Sequence, residues 1–135
     1  MISKKLRKKR EQGQTMAEFA LVLPVLAILL FGVIQFGIAF NNYLAVTDAV
    51  RAGARQAAVA RYLPPGEREA VVEAKVYASA DSLDESKLEV TVTPSDDWQP
   101  GSDVTVEAQY PYSINLLGKI VKDGFLTSKT TERVE

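Results

Sequence analysis

Residues 19–40 read FALVLPVLAILLFGVIQFGIAF, and this stretch decides the architecture. It is 22 residues long and holds one strongly polar side chain, Gln35. A helix rises ~1.5 Å per residue, so the run is long enough to cross a hydrocarbon core of ~30 Å. Pro24 frees the carbonyl of Ala20 and bends the helix, which a membrane helix tolerates. Gly32 and Gly37 allow a neighbouring helix to approach closely without forming a GxxxG motif. A cleaved secretory signal has a shorter apolar core, ~7–15 residues, and closes on small residues at a cleavage site. This run is longer and no such site closes it, so it reads as a retained anchor.

The flanks orient the anchor. Residues 1–13 carry six basic side chains (Lys4, Lys5, Arg7, Lys8, Lys9 and Arg10) against Glu11, a balance of +5, whereas the remainder carries 10 basic and 16 acidic residues, a balance of −6. A basic tail on an acidic body is the pattern of a cytoplasmic N-terminus, not of a nucleic-acid-binding protein, and it puts the C-terminal part outside.

Beyond the run, residues 41–62 (NNYLAVTDAVRAGARQAAVARY) lack proline and are rich in alanine, the best helix former. One long helix is therefore expected over 14–62, with 19–40 in the membrane and the rest in water. Ala45, Ala49, Ala52, Gly53 and Ala60 fall on one side, beside a charged stripe of Asp48, Arg51 and Arg55. Pro64-Pro65-Gly66 stops the helix. Residues 67–81 (EREAVVEAKVYASAD) form a second candidate helix with a core face of Ala70, Val71, Ala74, Tyr77 and Ala78, leaving Val72 and Val76 outside that arc. The period then changes to two in Leu88–Thr93 and again in Asp103–Tyr110, with PSDDWQPGS between them, which predicts an antiparallel hairpin. FLTSKTTERV reads as a third strand, its inward face open, and residues 114–122 as a short helix or a loop on the sheet. The fold class is α+β: a long N-terminal helix, half transmembrane, a second helix and a small antiparallel sheet of about three strands. Residues 63–135 bury too little apolar surface to stand comfortably alone, so this head is expected to pack on the outer half of the helix.

Little in the sequence suggests chemistry. Without cysteine or histidine there is no thiol nucleophile, no disulfide, no Cys/His zinc site and no histidine-dependent triad. No glycine-rich phosphate loop follows a strand. Asp96, Asp97 and Asp103 gather at a turn but match no calcium loop and are explained by local turn chemistry. Trp98 in that turn is either a lid on the sheet or an exposed contact. The expectation is a protein that is not an enzyme, with no catalytic, cofactor or metal residues.

Glu18 stands at the mouth of the apolar run. Thr15-Met16-Ala17-Glu18 has the S/T-x-x-E spacing of a capping box, with Thr15 as N-cap and Glu18 returning to its backbone N–H. A carboxylate in the first turn also suits the helix dipole.

The surrounding residues, GQTMAEFALVLPVLAILLFGVIQFG, resemble the start of TadE-like proteins, pseudopilins or minor pilins of the tight-adherence (Tad, Flp-type) pilus system. NNYLAVTDAVRAGARQAA is similar to that family's post-membrane helix, and LTSKTTERVE to its last strand. The resemblance implies a type IV pilin-like lollipop whose leader, 1–13, is removed by a prepilin peptidase between Gly13 and Gln14. Glu18 then becomes the fifth residue. It also implies that the new Gln14 amine pairs with Glu18 of a neighbouring subunit and sets axial register; an α-amine with reference pKa ~8 is largely protonated near neutral pH, and a carboxylate among apolar helices needs such a partner. The implied partners are that peptidase, other pilin and pseudopilin subunits through the apolar helix, the inner-membrane assembly platform and membrane lipid. The implied role is filament initiation or assembly, surface attachment and biofilm formation, from a single-pass inner-membrane location with possible incorporation into an extracellular pilus. Phe19 departs from the tyrosine usual after the glutamate in major Flp pilins, and the long C-terminal part also favours a minor subunit. The alternatives are an uncleaved bitopic scaffold of the pilus machine and a pilus-associated adhesin acting through the Trp98 turn.

Overall fold

The computed structural model describes residues 13–116 and 118–135. The basic stretch Lys4–Arg10, with Glu11, lies outside the described residues. The elements in chain order are helix α1 (Ile2–Val59, described from Gly13), a 3-10 turn (Ala60–Tyr62), α2 (Arg68–Ser79), a second 3-10 turn (Glu85–Lys87), and strands β1 (Glu89–Pro94), β2 (Asp103–Leu116) and β3 (Lys119–Arg133). The strands form one antiparallel sheet in the order β1-β2-β3. This is the α+β lollipop: a long apolar helix whose outer part carries a small head.

The head forms around the outer third of α1. Val46, Ala49, Val50, Ala54 and Ala57 of α1 and Ala60 of the first 3-10 turn are buried with Val72 and Val76 of α2 and with Val104, Val106 and Ala108 of β2. These side chains are small, so the elements approach closely. At Gly53 a Cβ would overlap Val76 Cγ2 and lie 3.4 Å from Val106 Cγ1, so this glycine is where α1, α2 and β2 meet. The charged stripe of Asp48, Arg51 and Arg55 stays exposed, with Asp48 and Arg51 3.7 Å apart.

The packed face of α2 differs from the expected one. Val72 and Val76 are fully buried, whereas Ala70, Ala74 and Ala78 are exposed. Alanine is favoured on any helix face, so its spacing did not mark the core; the two valines, one turn apart, did. On α1 and the 3-10 turn that follows it, Ala49, Gly53 and Ala60 are buried as expected, but Val46, Val50, Ala54 and Ala57 join them.

Among the described residues of this stretch, 114–116 and 119–122 are strand, not a short helix or a loop on the sheet. β2 runs on to Leu116, which pairs with Lys119 of β3, and Gly118 at φ +84° allows the tight reversal between them. Ile114 pairs with Lys122 and Asn115 with Ile120, so Val121 is the extra residue of a bulge. The inward side of β3 holds Leu126, Ser128 and Thr130, each half-buried, while Phe125 points outward.

Trp98 is the lid. Its side chain is 4% exposed although its φ is +62°, an unfavourable backbone state for a bulky residue. The chain end closes the same region. The Val134 N–H donates to the Ser102 carbonyl at 2.8 Å, the Val134 carbonyl accepts from Gly101 N–H at 2.8 Å, and Glu135 N–H donates to the Ala58 carbonyl of α1 at 3.0 Å. Arg68 ties the turn between the helices, donating to the carbonyls of Leu63 at 3.1 Å and Arg61 at 3.0 Å.

Candidate functional site along the N-terminal helix

Gly13, Gln14, Thr15 and Glu18 all lie on α1 with exposed side-chain positions. The Gln14 Nε2 donates to Glu18 Oε1 at 3.1 Å, an i,i+4 contact along the helix. Thr15 stands inside a helix that already includes Gly13 and Gln14. In the uncut chain it therefore occupies a helical position and not the half-turn before the helix that an N-cap takes.

From Glu18 the helix enters its apolar stretch, most of whose large side chains are exposed. Leu21 is 77% exposed and Val33 70%, and Phe36 stacks on Phe40 of the same helix, with ring centroids 6.2 Å apart. Gly13–Tyr62 contains a window of mean hydropathy 2.6 of which no part is buried within the chain. A helix apolar on all sides and unpartnered needs lipid or other helices around it. It is long and apolar enough for a single membrane crossing.

One side of the stretch is covered before its end. Gln35, Ala39 and Asn42 face Tyr110, Tyr112 and Ser113 of β2 across a gap of about 180 Å³. They continue inward the stripe on which Val46, Ala49 and Gly53 are buried, so the head's packing register starts within the apolar run. Sequence reading missed Gln35 as part of this contact. The signal was present: residues 35, 42 and 49, and 39, 46, 53 and 60, recur every seven positions. Tyr112 lies over Gly124 of β3, where a Cβ would sit 3.1 Å from Tyr112 Cε1.

Around the acidic turn, Asp103 approaches Arg133 at 3.8 Å. Among the described residues, no group of three or more acidic side chains is arranged to hold a metal ion.

The family model described as TadE-like protein matches residues 13–55. Over those residues the chain is similar to the TadE-like family. The match begins at the glycine before Gln14 and ends within the stripe buried against α2 and β2, so it covers the apolar run and the start of the head's core. Neither curated proteins nor solved structures gave a match.

Proposed function

We propose that this TadE-like chain is a minor pilin or pseudopilin of a tight-adherence pilus system, supporting filament initiation or assembly and, through it, surface attachment and biofilm formation. The observation that carries the proposal is the unpartnered apolar helix that begins just beyond Gly13, within a TadE-like match starting at that residue. In this reading 1–13 is a leader removed by a prepilin peptidase, 14–62 is the assembly helix and 63–135 is the extracytoplasmic head. The helix sits in lipid before assembly, engages the inner-membrane platform, and exchanges lipid for the helices of other pilin subunits in the filament.

The proposed chemistry lies at the new N-terminus. Cleavage creates an ammonium on Gln14, one turn from Glu18. Thr15 then stands at the start of the helix, where capping is useful. A Glu18 carboxylate that pairs with the ammonium of a neighbouring subunit fixes axial register among otherwise featureless apolar helices.

An uncleaved bitopic scaffold is the second reading, and one observation favours it: Gly13 and Gln14 are themselves helical, which keeps their peptide bond out of the extended form that peptidases bind. Burial of Trp98 counts against an adhesin that uses its ring as a contact. Mass spectrometry of the membrane-purified chain decides between the first two. A mature protein starting at Gln14 supports the pilin reading; one starting at Met1 or Ile2 supports the scaffold.

A further inference from the structure

The β2–β3 hairpin runs back toward the apolar part of α1. Val106 of β2 lies against Gly53, and Tyr110, Tyr112 and Ser113 lie against Gln35, Ala39 and Asn42. The strand therefore descends from the outer end of the helix to the level at which the apolar run ends. Its turn comes a few residues later, where Leu116 pairs with Lys119.

The surface of the hairpin changes character near that turn. Ile120, Val121 and Phe125 are 66%, 63% and 63% exposed. Lys119 and Lys122 are exposed beside them, against one carboxylate, Asp123. A single exposed apolar side chain is ordinary; three within six positions are not scattered. Apolar side chains flanked by lysine, with Tyr110 and Tyr112 a few residues earlier on β2, form the composition of an element that rests in a membrane interface.

We propose that the tip of the β2–β3 hairpin docks on the outer surface of the bilayer that α1 crosses. Ile120, Val121 and Phe125 enter the boundary between headgroups and acyl chains, and Lys119 and Lys122 meet anionic lipid phosphates. The proposal rests on the reading of α1 as a membrane span. It moves Gln35 out of the hydrocarbon: a polar side chain beside Tyr112 and Ser113 belongs in the headgroup layer. The hydrocarbon then holds Phe19–Ile34, 16 residues or ~24 Å of helix, somewhat less than the usual core thickness of ~30 Å. The head is held against the membrane at two points, which fixes its rotation about the helix axis.

The absence of cysteine makes the test direct. Full-length single-cysteine variants Ile120→Cys, Thr131→Cys and Leu29→Cys are labelled with an environment-sensitive fluorophore. They are reconstituted in phosphatidylcholine vesicles with and without phosphatidylglycerol and quenched by spin-labelled lipids of graded depth. The expected result is a blue shift at position 120, quenched best by shallow labels and strengthened by phosphatidylglycerol. Position 29 is quenched best by deep labels, and position 131 is not quenched. If position 29 is quenched and position 120 behaves like 131, the hairpin proposal fails and the span stands. If position 29 is not quenched either, both fail. A blue shift at position 120 that ignores quenching lipids and grows with protein density points to a second copy of the chain and also overturns the proposal.

Discussion

Gly53 of α1 and Val76 of α2 share a space that has no room for a methyl group. A Cβ on Gly53 would overlap Val76 Cγ2, with Val106 of β2 closing the other side at 3.4 Å. Gly53→Ala gains helix propensity but overpacks a core contact, and overpacking costs about 1–3 kcal/mol. The head is expected to unfold at lower temperature or denaturant in Gly53→Ala. Adding Val76→Ala restores part of the loss, because the two changes share one volume. The reporter is intrinsic: Trp98 is the single tryptophan and is 4% exposed, so its emission shifts red when the head opens.

Val134 shows how much the chain end contributes. It is fully enclosed and its backbone is paired to Gly101 and Ser102, with Glu135 bonded to Ala58 immediately after. Val134→Ala removes two buried methyl groups, a loss on the order of 2 kcal/mol. Deleting residues 134–135 additionally leaves the Ser102 and Ala58 carbonyls without these donors. The truncation is expected to destabilise the head more than Val134→Ala, measured by the Trp98 emission midpoint in denaturant.

The features that residue pattern could reveal were those set by local physics. Apolar length marked the helix, and alternation marked β1 and the first part of β2. The second half of the β2–β3 hairpin was hidden because INLLGKIVK shows no clean period of two, and the bulge at Val121 is the physical reason. The core face of α2 was hidden because it is set by a glycine on another helix. Gln35 looked like an isolated polar side chain in a span; its neighbours Tyr112 and Ser113 are nearly eighty positions away. The cleavage and register roles proposed for Gly13, Gln14 and Glu18 follow only from family resemblance, since they need a cut and a second subunit, whereas the capping-box reading of Glu18 follows from its spacing to Thr15.

Asp84 should make a small, pH-dependent contribution to the turn that feeds β1. Its carboxylate accepts from the Ser86 hydroxyl at 2.6 Å and the Ser86 N–H at 3.1 Å, and pairs with Lys87 at 3.2 Å. The Ser86 hydroxyl first, and then Lys87, hold its carboxyl below the ordinary aspartate range. A carboxylate with a lowered folded-state pKa stabilises above its unfolded pKa, and the contribution is lost as pH falls through the folded value. The window therefore lies below about pH 4. Carbonyl-carbon NMR titration is expected to give Asp84 a lower midpoint in the folded chain than in an unfolded peptide of the same sequence. Ser86→Ala should raise that midpoint.

Glu18 separates the local explanation of the N-terminus from the assembly one. Glutamine at this position keeps the length of the side chain and an oxygen that can accept from Gln14 Nε2, now at 3.1 Å, and removes only the charge. Alanine removes both. A register charge between subunits predicts that Glu18→Gln and Glu18→Ala each lose filament assembly, measured as sheared surface pili, while both still insert in the membrane and are cut at Gly13. The loss should be severe, because the neighbouring ammonium on Gln14 is left without its partner among apolar helices, where an unpaired charge costs several kcal/mol. If Glu18→Gln assembles like the parent while Glu18→Ala fails, hydrogen bonding at the helix start explains the residue and the charge does not set register.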